Sequence, residues 1–475
     1  MKSGTELAAA LPPPTVPFYR AVPGFLRDPA ALCTAAWREK GDVVRLSLGV
    51  TDAVVLSHPD HIRHVLQEQH KRYGKGRLYG AVRKVLGHGL VTSEGETWLS
   101  LRRLMQPSFH RERLDALVET LVGTIDHAFD ASWSAAASSA VPLPMTKPLR
   151  RATAEIMTRA TLGAHLRTGD FEAATDALDT INGSLQLAML FSLVPAGIPT
   201  PNVKWKKAVE TVDDVVLRVI EHCERSGEQA HLLSMLIAAR DADTGEAMSP
   251  EELTVAVRQL FLAGYETTAA ALLWTFYALT QHPDVEKRVL AEIADVLGDR
   301  PPTYGDLAKL DYTTRVINES MRFYASAWAI PREAIEDDVV GGFRVPKGTL
   351  VIPCPRNAHQ HPGFWNNPGV FDPEHFSPEQ TAARPRHAFV PFGFGPRVCI
   401  GNAFAMMEMK LIVAMALQRY EFSLAHPVTR AKSETVLVVP DPELRLTIRS
   451  RKASASRTAG PSTDRGRSDG LSAHA

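Results

Sequence analysis

A chain of 475 residues, 45% hydrophobic and 22% charged, has the composition of a globular protein with enough apolar material for a large core. Lys plus Arg equals Asp plus Glu at 53 each, so no global charge selects nucleic acid or an acidic partner. The four cysteines (Cys33, Cys223, Cys354 and Cys399) are far apart with no C-x-x-C pair, which argues against a zinc site or a disulfide framework and suits a reducing cytosol.

Residues 7–11 form a short Ala/Leu run stopped by Pro12-Pro13-Pro14. That is far below the roughly 20 apolar residues of a spanning helix, and no cleavage-type signal is visible. The expectation is a soluble, cytoplasmic protein without a membrane anchor, whose proline-rich residues 1–24 run extended over the surface. Residues 43–48 and 53–56 flank Gly49-Val50-Thr51-Asp52 as a β-hairpin, and His58-Pro59-Asp60 opens a short helix. Residues 74–92, with five glycines, read as a loop-rich segment. Trp98 and Arg102 stand four apart on a predicted helix and share a face, where an indole N–H and a guanidinium can bind a carboxylate. Residues 131–144 are rich in Ala, Ser and Pro and read as a loop, and 150–240 read as helical. Within that region Leu185, Leu187, Met189, Leu190 and Phe191 make an apolar patch ahead of Pro195 and Pro199-Thr200-Pro201.

A long central helix is the strongest periodic signal. Ser249-Pro250-Glu251-Glu252 is a capping box with proline at the first helical position. His282-Pro283 ends the run, giving about 32 residues and roughly 50 Å. It is apolar nearly throughout, so it should cross the core. Its middle, Ala263-Gly264-Tyr265-Glu266-Thr267-Thr268, is out of keeping with that position. A glycine and an acid–alcohol pair destabilise a buried helix unless something uses them. Gly264 would let a flat group approach the backbone, Thr267 can turn its hydroxyl to a ligand, and Glu266 can relay protons.

Glu319 and Arg322, three apart on the next helix, can pair. Trp328-Ala329-Ile330-Pro331-Arg332 leads into short strands near 339–345 and 349–352, followed by Phe371-Asp372-Pro373-Glu374-His375-Phe376. Then comes Phe392-Gly393-Phe394-Gly395-Pro396-Arg397-Val398-Cys399-Ile400-Gly401, a glycine-punctuated turn holding one cysteine ahead of an apolar helix from Ala403 to about Leu417. Gly393 and Gly395 supply φ values other residues resist. Backbone N–H groups in such a turn can face the sulfur and lower its pKa. Residues 436–439 and 444–448 read as a final hairpin around Pro440-Asp441-Pro442, and 450–475 as a disordered Ser/Arg/Gly-rich tail.

The ten-residue cysteine turn resembles the ligand loop of the cytochromes P-450, Phe-x-x-Gly-x-Arg-x-Cys-x-Gly, at every fixed position. The Trp98/Arg102 pair, the Ala263–Thr267 stretch, Glu319-x-x-Arg322 and Arg332 match further family motifs in family order, and the likeness spans about residues 12–449. It implies one mainly α domain with a small β portion over residues 25–449, enclosing haem b between the central helix and the cysteine loop. Cys399 would then be the iron ligand, shielded by Phe392 and flanked by Gly401. Trp98, Arg102, Arg332 and Arg397 would hold the propionates, Ala263 and Gly264 would face the macrocycle, and Thr267 with Glu266 would deliver protons to bound dioxygen. His375 departs from the family arginine of a network with Glu319 and Arg322, and a neutral or weakly charged imidazole would leave that network less permanently charged.

The implied activity is monooxygenation of a lipophilic small molecule, a terpenoid or polyketide of secondary metabolism. Electrons would come from NAD(P)H through a reductase and a separate ferredoxin or flavodoxin, docked by basic residues such as Arg103, Arg111 and Arg113 on a monomeric enzyme. The candidate pocket wall is Leu86, Leu90, Val91, Leu187, Leu190, Leu262, Trp328, Ile330 and Leu437. Fatty-acid hydroxylation is the alternative substrate class; a peroxide-driven enzyme and a non-catalytic haem sensor are the alternative modes.

Overall fold

A computed structural model describes residues 10–49, 51–163, 168–192, 205–226, 232–241, 243–434 and 436–451. The expectations for residues 1–9 and for the tail beyond 451 lie outside these residues. So do the side chains of Leu187 and Leu190, whose backbone is helical.

The helices that matter for the site are α1 (Gly76–Leu86), α2 (Gly95–Met105), α3 (Thr146–Leu162), α4 (Thr168–Ser192), α5 (Trp205–Ser226), α6 (Pro250–Gln281), α7 (Asp311–Phe323) and α8 (Asn402–Arg419). The central helix α6 has the 32 residues and the Ser249/Glu252 capping box that its sequence demands. It is buried along most of its length, between α3, α5, α7 and α8. Among the described residues no helix is long and apolar enough to cross a membrane.

To one side lies a six-stranded sheet in the order Thr15–Val16, Val43–Ser47, Asp52–Leu56, Leu350–Pro353, Arg332–Ala334, Tyr73–Gly74. The expected hairpin is its second and third strands, paired from Val43↔Leu56 to Ser47↔Asp52. Because Leu350–Pro353 joins that hairpin in parallel, the chain around Arg332 is carried back to the segment that precedes α1.

Four segments differ from their sequence reading. Residues 74–92 contain α1: its glycines sit chiefly at the ends, with Gly76 (φ +63) and Gly87 (φ +76) in left-handed conformations. Leu78, Val82, Val85 and Leu86 form its buried helical stripe. Residues 131–139 belong to the helix Val118–Ser139, which Phe129, Trp133 and Ala136 pin to the core. The hydroxyls of Ser132 and Ser138 bond back to carbonyls four residues earlier, so serine does not break it. Phe18–Arg27 is helical despite Pro23, with Ala21 buried against the sheet. The last strands do not pair with each other. Leu437–Asp441 pairs with Arg430–Glu434, and Arg445–Ser450 pairs with Tyr420–Leu424 and Leu143–Pro144.

Candidate active site

The cysteine loop is built as its glycines require. Gly393 (φ +78) and Gly395 (φ +73) take the left-handed conformation. A Cβ on Gly395 would stand 2.2 Å from the Leu66 carbonyl oxygen, so the loop packs directly on that backbone. The Cys399 N–H donates to Phe392 O at 2.9 Å, closing the turn, and Phe392 packs half-buried against the main core. Cys399 itself has exposed surface. Burial among neighbouring atoms nevertheless pushes its thiol pKa up, against the Gly401 N–H and the Arg102 guanidinium, which pull it down. The expected lowering of the pKa is therefore not reached by the protein alone; burial outweighs the backbone donor.

The corresponding surface on α6 belongs to Ala263 and Thr267, which are exposed although the helix around them is buried, and which share one face at i, i+4. The Thr267 hydroxyl donates to Ala263 O at 2.7 Å. At Gly264 a Cβ would meet Met157 Sδ of α3 at 2.7 Å, so the missing side chain leaves room for that methionine. Glu266 accepts from Arg150 Nη2 at 2.6 Å and from Asn182 Nδ2 at 2.5 Å. Burial raises its pKa, with Arg150 opposing. Beside it, Arg150, Glu434, Leu437 and Val439 enclose a cavity of about 10 Å³, enough for one water.

Several cations lie around the cysteine loop. Trp98 lies under the Arg397 guanidinium at 4.4 Å, and Arg397 Nη1 donates to Ser93 O at 3.0 Å. Arg102 Nη1 donates to Val398 O at 2.8 Å, tying α2 to the residue before the cysteine. Arg332 is buried and donates to Pro331 O at 2.9 Å. Lys75, not anticipated from sequence, joins them: burial, then repulsion from Arg332 and Arg397, hold its ammonium pKa well down. Its only signal is a lysine between two glycines. Glu408 on α8 was also missed. It is fully buried, and burial drives its pKa well up against the opposing Thr268 hydroxyl.

Glu319 and Arg322 form a fully buried fork, Nε to Oε2 and Nη2 to Oε1, both 2.7 Å. Arg322 also donates to the carbonyls of His359, Pro368 and Val370. His375 completes the network, with Nδ1 3.1 Å from Glu319 Oε1 and Nε2 2.6 Å from Asn366 O. Both ring nitrogens face acceptors, so the doubly protonated ring satisfies both. Burial works against that charge, but Glu319 and the Asn366 carbonyl outweigh it and the pKa is raised. That shift favours the charged imidazole over the weakly charged one expected.

Among the candidate wall residues, Leu90, Val91, Leu262 and Ile330 are half-buried and Leu86 is buried. Trp328 packs into the cluster between the sheet and the N-terminal helices, and Leu437 borders the small cavity at Glu266. Arg103 pairs with Asp241 and Asp243 at 3.1 and 2.6 Å, and the exposed Arg111 lies over the Tyr304 ring.

A flat, doubly anionic macrocycle with a metal centre fits this set: a desolvated thiol, an open helix face, and partly buried cations near enough to repel one another. Such a fold and site define a haem-thiolate class of protein. The family model described as Cytochrome P450 matches residues 11–448. Cyclooctatin synthase of Streptomyces melanosporofaciens is 31% identical over 411 residues, covering 86% of this chain and 87% of that protein. Pentalenene oxygenase of Streptomyces avermitilis is 32% identical, covering 81% and 85%. The crystal structure of the cytochrome P450DA heme domain superposes with a TM-score of 0.84 at 24% identity, over 93% of this chain and 98% of that one. The chain belongs to the cytochrome P450 family and is a monooxygenase of that family, which implies a haem-thiolate iron.

Proposed function

We propose that the protein inserts one atom of dioxygen into a C–H bond of a lipophilic terpenoid or polyketide. Electrons reach it from NAD(P)H through a reductase and a ferredoxin or flavodoxin. The observation that carries the reading is the pairing of an exposed Thr267 with a half-buried, hydrogen-bonded Glu266 on a helix face left uncrowded at Ala263. The relatives named cyclooctatin synthase and pentalenene oxygenase support the terpenoid class.

Cys399 Sγ is the atom that would hold the iron, losing its proton on binding. Arg332, Arg397, Trp98 and Lys75 would hold the propionates, while Arg102 holds the loop through Val398 O. When bound, haem with a thiolate ligand activates dioxygen by favouring O–O cleavage. Glu266, whose pKa burial raises against the pull of Arg150, relays a proton from the water-sized cavity beside Glu434 to Thr267 Oγ1, which rotates off the Ala263 carbonyl to present it. Apolar residues Leu90, Val91 and Leu262 exclude water around the substrate.

The test is turnover with a ferredoxin, its reductase and NADPH over a panel of terpenoid hydrocarbons and fatty acids. A hydroxylated terpenoid formed with NADPH consumption supports the reading. Hydroxylation of fatty acids alone moves the substrate class, and turnover supported only by peroxide removes the electron route.

A further inference from the structure

Arg258 and Gln259 are consecutive polar residues near the N-terminal end of α6, 5% and 2% exposed, and the chemistry above uses neither. Polar groups so deep persist only when paired, and their partners lie on α5 and in residues 86–92. Arg258 Nη1 contacts both carboxylate oxygens of Asp213 on α5. Its Nη2 donates to the carbonyl of Leu86, the last residue of α1, at 3.1 Å. Gln259 Nε2 donates to Thr92 Oγ1 at 3.2 Å and reaches the carbonyls of Leu86 and Gly87 at 3.4 Å. Gln259 Oε1 accepts the Val91 N–H at 2.8 Å.

The loop is shaped to receive these groups. A Cβ on Gly89 would lie 2.6 Å from Gln259 Oε1, and one on Gly87 would lie 3.1 Å from Arg258 Nη2. Thr92 Oγ1 donates to Gly87 O at 2.6 Å and accepts from Gly89 N–H at 3.0 Å, closing the loop on itself. Gln259, Ala263 and Thr267 follow at i, i+4 and i+8, so the loop is fastened one helical turn from Ala263 and on its face.

We propose that Arg258 and Gln259 are positioning residues that clasp residues 86–92 and α5 onto the central helix. In doing so they set how large a molecule enters past Leu90 and Val91. The inference rests on the haem-pocket reading above. Without the clasp the loop would be held by its own turn alone, and passage of bulky molecules would no longer be limited.

The test uses the haem-loaded protein and two nitrogen ligands of ferric haem, imidazole and the bulkier 4-phenylimidazole, followed by stopped-flow absorbance. In Gln259→Leu, and to a smaller degree in Asp213→Asn, the association rate of 4-phenylimidazole should rise by about tenfold, the equivalent of one lost anchoring interaction, while that of imidazole stays unchanged. Amide exchange at Val91 should quicken in Gln259→Leu and stay slow in Gln259→Glu, whose carboxyl keeps the acceptor. Equal acceleration of both ligands, or none in either variant, overturns the clasp. If Gln259→Leu fails to fold, the Asp213→Asn rates and the Val91 exchange in Gln259→Glu decide it alone. A wild-type protein that binds neither ligand at haem sinks the pocket reading instead.

Discussion

Alanine substitution at the two glycines of the cysteine loop separates torsional cost from collision. Both sit in the left-handed region, φ +78 at Gly393 and +73 at Gly395, so each substitution carries about 1–2 kcal/mol of backbone strain. Their surroundings differ. At residue 393 the nearest atom to a new Cβ is Ile330 Cδ1 at 3.7 Å, an ordinary contact, whereas at 395 it is the Leu66 carbonyl oxygen at 2.2 Å. Bringing that last contact to 3.0 Å requires a shift of 0.8 Å between two backbone segments. Gly395→Ala should therefore lose a further 1–3 kcal/mol or so, the usual cost of overpacking, and pull the loop that carries Cys399 out of register. The assay is guanidinium unfolding of each variant, together with the fraction showing the thiolate-type carbon monoxide band. Gly393→Ala should keep the band with a modest stability loss, and Gly395→Ala should lose much of it. Equal behaviour of the two variants would refute the reasoning.

Thr267→Ala should leave haem content intact but divert NADPH electrons from product to hydrogen peroxide; product yield per NADPH and peroxide release measure it. Glu319→Ala leaves Arg322 charged and fully buried, and should cost about 3–5 kcal/mol in denaturant titration. His375 titrates in the opposite sense to an acid. Its raised pKa means its contribution is complete below about pH 6.5 and is lost as pH rises through the folded value. Stability of the wild type should thus fall on the alkaline side of that point, and His375→Arg should flatten the profile measured by urea unfolding at several pH values. Lys75→Met should stabilise the haem-free protein, by removing repulsion with Arg332 and Arg397, yet speed haem transfer to a scavenging apoprotein.

Much of the site is legible in sequence because its parts are local. The cysteine loop states its own turn, with Gly393 and Gly395 at the positions that take positive φ, and the central helix states its start through a capping box. What could not be read was set by distant partners. Gly264 signals a close approach but not by what, and only the packing of α3 shows Met157 there. Arg150, Asn182 and Lys75 are ordinary polar residues until the fold brings them to Glu266 or to Arg332. The last hairpin was misassigned because its true partner strand, Arg430–Glu434, is polar and mostly exposed, without the alternation that marks a strand. Residues 74–92 were misread because glycine count was weighed without position: end glycines cap a helix that interior ones would weaken.

The central claim, one thiolate holding the iron, is tested most directly by carbon monoxide binding to the dithionite-reduced protein. The account predicts the red-shifted Soret band of thiolate ligation in the wild type and its loss in Cys399→Ser, with Cys33, Cys223 and Cys354 unchanged. The band's absence from the wild type, or its survival in Cys399→Ser, would contradict it.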